Sequence, residues 1–134
     1  MVAFGQNLET TRTESSVEVD RVCGEIRAQY LTQAPGQAMV YLAKEAEAKD
    51  FIKDTAPAMV EYPFVMADMD GSGLGANQVC QIILNKSQLW RRVGSSIERA
   101  RMIAKTAIEA ATTIREIRMA EEKFQRNCLG LRLF

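Results

Sequence analysis

The fold is decided by residues 76–112, ANQVCQIILNKSQLWRRVGSSIERARMIAKTAIEAAT, which contain no proline and a single glycine, Gly94. Along this stretch one set of residues recurs in alternating steps of four and three. A seven-residue repeat of this kind is typical of a helix that packs along one stripe, as in coiled coils. We therefore predict one long helix over about 76–112. Its repeating residues, here called the seam, are Val79, Ile83, Lys86, Trp90, Val93, Ile97, Ala100, Ala104, Ala107 and Ala111.

The seam changes character along its length. It is bulky as far as Ile97, and alanine dominates after that residue. Small side chains let two helices approach closely, although each buries little apolar area. We expect the first part of the helix to anchor in the domain core and the second part to pack against a neighbouring helix. The seam residues from Trp90 to Ala111 are therefore predicted to be protein-interaction residues.

Three further helices are predicted around the long one, with a short fourth that starts at Phe64, Val65 and Met66 and docks on the core. The first begins at Ser15 or Ser16 as a capping residue and ends before the turn signal Pro35-Gly36. A second, over about 37–54, carries a predicted inward stripe. The last begins at Thr113, which forms a capping box with Glu116, and runs to about residue 126. The stripe of the second helix consists of Met39, Leu42, Ala43, Ala46 and Phe51.

These elements predict a mainly α protein, a small helical bundle with one long helix and an extended C-terminal tail. Residues 1–14 are polar and are predicted to form a flexible or partner-dependent arm. Residues 15–127 form the predicted single helical domain, which is long enough to bury a core. Residues 128–134 form an apolar C-terminal tail.

The C-terminal tail is a second candidate interaction site. An unshielded apolar tail either packs back on its own chain or adds to the surface of a partner, for example as an extra strand. Its predicted interaction residues are Leu129, Leu131, Leu133 and Phe134. The three cysteines are widely spaced and have apolar neighbours, as expected of buried free thiols. The odd number leaves open an intermolecular disulfide, with Cys128 as the candidate.

The chemistry of the sequence excludes the common catalytic and metal sites. Histidine is absent, as are nucleophile-elbow and phosphate-binding loop motifs. We therefore expect no catalytic, cofactor-binding or metal-binding residues, no cofactor and no enzymatic activity. One alternative is a calcium-binding regulatory module at 68–73, because Asp68, Asp70 and Ser72 match the first half of a calcium loop. The twelfth position of that loop is Val79, where a glutamate is required.

Charge is unevenly distributed although the net charge is zero. Residues 1–84 carry 6 basic and 12 acidic side chains, whereas residues 85–134 carry 11 and 5. The two halves either pack together or simply face solvent, since exposed charges are usually solvated, or they meet between subunits, which favours ordered assembly. The glutamates interspersed in the basic half argue against a nucleic-acid partner. No apolar run approaches the length of a membrane span, so no membrane partner is expected.

Several motifs in this order resemble a segment found in tail proteins of bacteriophages and prophages. Two separate stretches come first, then a central tryptophan, an Ile-Glu-x-x-Arg motif and an Ala-Ala-Thr-Thr-x-x-Glu-Ile motif. The residues that carry the resemblance are 35–37, 40–48, 62–64, Trp90, 97–101 and 110–117. The resemblance implies a virion component or tail-assembly factor without catalytic activity, and it carries over no catalytic or ligand residues.

The resemblance and the residue patterns lead to one functional hypothesis and one further alternative. The hypothesis is a non-enzymatic structural protein of a phage virion, in the tail, baseplate, fibre-attachment or neck region, assembled in the host cytoplasm. Its expected partners are other phage structural proteins and further copies of itself. The alternative is a tail or tail-fibre assembly chaperone that is not retained in the virion.

Overall fold

The computed structural model describes residues 7–31 and 34–133. These residues are mainly helical, and no strand occurs among them. The helices are α1 (Leu8–Tyr30), α2 (Gln37–Lys53), α3 (Pro63–Ser72), α4 (Ala76–Ala110) and α5 (Ile114–Leu129), with a 3-10 turn at Met59–Glu61. The predicted mainly α class is therefore confirmed.

The chain divides into two compact units where the sequence predicted a single domain over 15–127. Unit 1 takes its described residues from 7–31 and 93–133, and unit 2 from 34–92. The part of α4 up to Arg92 belongs to unit 2, and the part from Val93 belongs to unit 1. Unit 1 therefore consists of α1, the second part of α4, and α5.

Helix α1 begins earlier than predicted. The side-chain oxygen of Asn7 accepts hydrogen bonds from the amides of Glu9 (2.8 Å) and Thr10 (3.2 Å), which caps the helix. The stretch 8–14 is therefore helical and not part of an arm, while residues 1–6 lie outside the described residues. Ser15, a predicted cap, lies inside the helix and is buried. The threonines at 10, 11 and 13 have low helix propensity, and for this reason the sequence pattern did not predict a helix over these residues.

Unit 1 is built from three helices that each turn one stripe inward. On α1 the buried residues follow helical spacing from Thr11 to Ile26, and on α5 from Ile117 to Cys128. The contacts of α1 show that it runs antiparallel to α4 and parallel to α5. The predicted start of α5 is confirmed, because Thr113 Oγ1 accepts from the Glu116 amide at 3.1 Å. The Glu116 carboxylate accepts in return from the amide of Thr112, one residue earlier than a standard capping box requires.

Unit 2 packs α2, α3 and the first part of α4 around a small core. Seven buried side chains form this core: Ala48, Phe51, Tyr62, Val65, Val79, Cys80 and Ile83. Helix α3 starts with Pro63 at its first position and is terminated after Ser72 by Gly73, whose φ of 76° is readily adopted only by glycine. The Glu47 carboxylate of α2 accepts from the amides of Phe64 and Val65 (2.9 and 3.1 Å) and so caps α3.

Candidate interaction surfaces

The alanine-rich part of the seam is buried inside unit 1. Ile97, Ala100, Ala104 and Ala111 are each less than 5% exposed. Within this part of the seam the inward register differs from the predicted one at one position, because Ala107 is exposed and Ile108 is 1% exposed in its place. A strict heptad corresponds to 3.5 residues per turn, but a straight α-helix has 3.6. Over several turns the buried face of a straight helix therefore moves ahead of the heptad by one residue, here from Ala107 to Ile108. Of the other predicted seam residues, Val79 and Ile83 are buried in unit 2, and Trp90 and Val93 are half-buried. Lys86, also predicted to lie on the seam, is exposed.

Charged contacts fasten α1 to α4 within unit 1. Asp20 accepts hydrogen bonds from Lys105 (2.7 Å) and Arg101 (2.8 Å), and these cations hold the pKa of its carboxyl below its usual value. Arg27 forms an ion pair with Glu98 at 3.7 Å. An acidic residue of the front half thus meets basic residues of the back half within one chain. Some of the opposite charges of the two halves therefore neutralise each other within unit 1.

Arg12 adds a contact that does not depend on a carboxylate. Its guanidinium donates to the main-chain carbonyls of Ile108 (2.5 Å) and Glu109 (2.9 Å), in the last turn of α4. Carbonyls at a helix C-terminus lack partners within the helix and carry a partial negative charge. Arg12 therefore caps α4 from α1. The sequence pattern gave no sign of this role.

The C-terminal tail packs back onto the end of α1. Cys128 and Leu129 belong to the last turn of α5, so the tail starts two residues later than predicted. The Tyr30 hydroxyl donates to the Leu131 carbonyl at 2.5 Å, and the Leu133 amide donates to the Gln29 side chain at 2.7 Å. Leu129 and Leu133 remain exposed and Leu131 is half-buried, whereas Phe134 lies outside the described residues.

The three cysteines are buried and form no disulfide bond. Cys23, Cys80 and Cys128 are each no more than 1% exposed, and burial raises the pKa of all three thiols. A raised pKa keeps a thiol protonated and unreactive, because the thiolate is the nucleophile in disulfide formation. The burial of Cys128 does not favour the intermolecular disulfide that the odd number of cysteines left open, and that disulfide stays a prediction.

Unit 2 exposes apolar side chains that the sequence pattern placed in its core. On α2, Met39 is 75% and Leu42 is 69% exposed, and Ala46 on the same face is also exposed. The buried residues of α2 are Ala48 and Phe51. Other strongly exposed apolar side chains of this unit are Ile52 and Val60. We call Met39, Leu42 and Ala46 the α2 face.

The predicted calcium loop does not form. Residues up to Ser72 belong to α3, and Asp68 is bound to Lys44 at 2.9 Å. On a helix, residues two apart such as Asp68 and Asp70 point to different sides, so their oxygens do not converge on one ion. Within 7–31 and 34–133, no group of three or more His, Cys, Asp or Glu residues is placed to hold a metal ion. None of the described helices is long and apolar enough to cross a membrane.

A cavity of about 230 Å³ lies between α1 and α5. Glu18 on its rim is bound to Arg21 of the same helix (2.8 Å), which lowers the pKa of the glutamate. Glu121 is bound to Arg118 at 2.8 Å. These carboxylates are therefore engaged by arginines of their own helices. The lining consists of Ser15, Glu18, Val19, Arg118, Glu121, Glu122, Phe124 and Gln125.

Comparison with known proteins found no relative of this chain from which a function could be inferred. No protein-family model matches it, and no curated protein or solved structure does so. The surfaces described above and the motifs at 35–48 and 97–117 are what a functional proposal has to build on.

Proposed function

We propose that the chain is a non-enzymatic structural protein that acts through protein–protein contacts. The observation that carries this proposal is the α2 face, where Met39 and Leu42 are 75% and 69% exposed. Large apolar side chains grouped on one exposed face are a feature of interaction sites, because water contact with them is unfavourable until a partner covers them. The exposed leucines Leu129 and Leu133 add a second apolar surface at the chain end.

The setting that we propose is a bacteriophage virion, in the tail, baseplate, fibre-attachment or neck region. The support is the order of motifs from Pro35-Gly36-Gln37 to Ile117, which resembles tail proteins of phages and prophages. The partners are other phage structural proteins, and several copies assemble in the host cytoplasm. We propose that α4 serves as one continuous helix in the particle, with the C-terminal segment as a docking element. Neither nucleic acid nor membrane is a partner in this proposal.

The test is mass spectrometry of phage particles purified from a lysate that contains the chain, with electron microscopy of the same particles. The expected result is a fixed copy number per particle. A chain that is abundant in the lysate and absent from the particles would exclude the structural role.

A double variant, Met39→Lys with Leu42→Lys, tests the α2 face itself. We expect its incorporation into particles to fall roughly tenfold or more, since losing one contact of about 1.4 kcal/mol already changes binding tenfold. The matched control is Val17→Lys on α1, another exposed apolar residue at 62%. Both variants should retain the wild-type helix content and melting temperature. Equal incorporation of the two variants would show that the α2 face makes no contact.

An assembly chaperone is the second candidate, and the methionines of unit 2 favour it. Met39 and Met66 are exposed, and Met59 and Met69 are half-buried beside the core. Methionine side chains are flexible and polarizable, so surfaces rich in them adapt to several partners. A chaperone binds its client and then leaves. The particle experiment therefore distinguishes the two candidates, since only the structural protein is retained.

A further inference from the structure

Unit 1 is assembled from two stretches of chain that are far apart in the sequence. Helix α1 lies within residues 7–31, and the other two helices of the unit come from 93–133. All of unit 2 lies between them in the sequence. Helix α1 contacts α4 of this unit through Arg12 and Asp20, and the α4 side chains Ile97, Ala104 and Ile108 are buried. The core of unit 1 is therefore incomplete until an α1 helix is in place.

The contacts of α1 form a complementary set that specifies its position. At one end Arg12 caps the carbonyls at the end of α4, and in the middle Asp20 binds Arg101 and Lys105. At the other end Gln29 and Tyr30 bind the main chain after α5. Every one of these partners belongs to the stretch 93–133. Any copy of α1 can make them with the α4–α5 pair of any copy of the chain.

The N-terminal half of α1, which Arg12 anchors to α4, carries polar side chains at the start of its inward stripe. Its first two inward residues are Thr11 and Ser15, which are 2% and 4% exposed. Neither side-chain hydroxyl has a hydrogen-bond partner. A buried hydroxyl without a partner costs free energy, and release of the helix returns both hydroxyls to water. The inward stripe of α5, by contrast, is apolar throughout its buried residues.

We propose that α1 is exchanged between copies of this chain, so that α1 of one copy completes unit 1 of a second copy. The charge complementarity of Asp20 with Arg101 and Lys105 selects this occupant over an unrelated helix. Exchange of an identical element remakes the same contacts and is a low-cost route to assembly. Reciprocal exchange closes a dimer, and one-way exchange builds an open chain of copies.

This inference rests on the multi-copy assembly in the proposed function and names the partner and the interface. The contact that reports on it is the ion pair of Lys105 with Asp20, at 2.7 Å. A carbodiimide joins an amine to a carboxylate only where the two groups touch. When normal and ¹⁵N-labelled full-length chains are mixed in equal amounts, mass spectrometry of the cross-linked peptides shows whether the two residues come from one chain or two.

The ion pair of Lys44 with Asp68, at 2.9 Å, is the internal control. Both of its residues lie within the continuous stretch of unit 2, so its cross-link should always join residues of the same label. One sample is mixed in the native state and another is unfolded and refolded together, which removes any kinetic barrier to exchange. A Lys105→Arg variant keeps the positive charge and should lose only the α1–α4 cross-link.

In the refolded sample we expect about half of the Asp20–Lys105 cross-links to join differently labelled chains, as random pairing requires when every unit 1 is completed by a second copy. Cross-links between identically labelled chains alone would overturn the proposal. Mixed labels at Lys44–Asp68 as well would also overturn it, because whole-chain association would then explain both. Absence of the Asp20–Lys105 product in a sample that gives the Lys44–Asp68 product would also overturn it, because α1 would then not pack on α4. Purified protein suffices for this test, so its failure is separate from failure of the particle experiment.

Discussion

The two units of the chain are held together in different ways. Unit 1 packs three long stripes of buried side chains, which recur every three or four residues on α1, α4 and α5. Unit 2 has a core of seven side chains and, like unit 1, has polar contacts between its elements. Glu47 caps α3, Lys44 binds Asp68, and Glu45 accepts from Ser87 and Arg91 of α4.

This difference shows where each unit is vulnerable and where it is open to partners. Periodic packing spreads stability over many side chains, each contributing roughly 1.5 to 3 kcal/mol when a large one is buried. A small core leaves unit 2 more dependent on individual hydrogen bonds, and it leaves apolar side chains such as Met39 uncovered. Unit 2 therefore offers the α2 face as a contact surface, whereas the exposed apolar side chains of unit 1, such as Val17 and Met119, lie outside its buried stripes.

The largest expected effect is on the seam of unit 1. Ala104→Glu places a charge in a site that is 2% exposed, and an uncompensated buried charge costs about 3 to 5 kcal/mol. The matched control is Ala107→Glu, which makes the same change three residues further along α4, at an exposed position. Its effect on the free energy of unfolding should stay within about 0.5 kcal/mol. Urea denaturation measures both, and equal losses would refute the inward register through Ile108.

The seam shows how far periodicity alone predicts this fold. The spacing identified the buried residues Val79, Ile83, Ile97, Ala100 and Ala104 of α4 but also placed the exposed Lys86 inward. The Thr113–Glu116 signal identified the start of α5. Ala107 was placed inward because the heptad was extended by rule. The backbone of a short bundle keeps its own 3.6-residue period and brings Ile108 inward. Hydrophobic spacing therefore predicts which face of a helix is buried near the start of the pattern, but the predicted positions become wrong by one residue after several turns.

Features that depend on distant residues were not predictable in the same way. Arg12 caps α4 across 96 positions of sequence, and Glu47 caps α3 from another helix. Nothing in the local sequence of either residue identifies its partner. The α2 face was predicted to be core because Met39 and Leu42 are apolar, but apolar character alone does not distinguish a core from a contact surface. The candidate surfaces on unit 2 therefore emerge only from the structure.

Unit 2 should be sensitive to loss of a single hydrogen-bonding side chain. Glu47→Ala removes the carboxylate that caps α3, and loss of a charged cap should destabilise unit 2 by about 2 kcal/mol. Hydrogen exchange of the α3 amides should become faster while that of α1 is unchanged. Asp50→Ala on the exposed side of α2 is the control and should leave α3 protected. Equal exchange in the two variants would show that the cap is not needed.

In unit 1, removing a buried polar group that has no hydrogen-bond partner should increase stability. Ser15→Ala removes a buried hydroxyl that has no partner and introduces a better helix former, so the free energy of unfolding should rise by about 1 kcal/mol. Thr11→Val should act in the same direction with little change in shape. Thr10→Val, at an exposed site on the same helix, is the control for β-branched substitution. A loss of stability in Ser15→Ala would mean that its hydroxyl has a partner.

The smallest effect is expected at the contact between Tyr62 and Asp54 in unit 2, and it should depend on pH. The Tyr62 hydroxyl donates to Asp54 at 2.6 Å, which raises the pKa of Tyr62 to about 12 and, together with the amide of Ala56, lowers that of Asp54. Because the carboxyl pKa is lowered on folding, its contribution is present above pH 3.8 and is lost as pH falls through the lowered value. Because the phenol pKa is raised, its contribution is present below pH 10.0 and is lost as pH rises towards 12.

Tyr62→Phe should therefore be less stable than the wild type between about pH 4 and 10, and the difference should shrink beyond both limits. Thermal unfolding across this range measures the difference. Absorbance titration of Asp54→Asn should show one tyrosine whose pKa has moved down from about 12 towards 10.0, since the acceptor has lost its charge. Tyr30→Phe provides the matched control, because its hydroxyl donates to a main-chain carbonyl of unit 1 that does not titrate. If the stability difference between Tyr62→Phe and the wild type is the same from acid to alkali, Asp54 does not accept a hydrogen bond from Tyr62. Tyr62 would then stabilise unit 2 only through its ring, as a member of the seven-residue core.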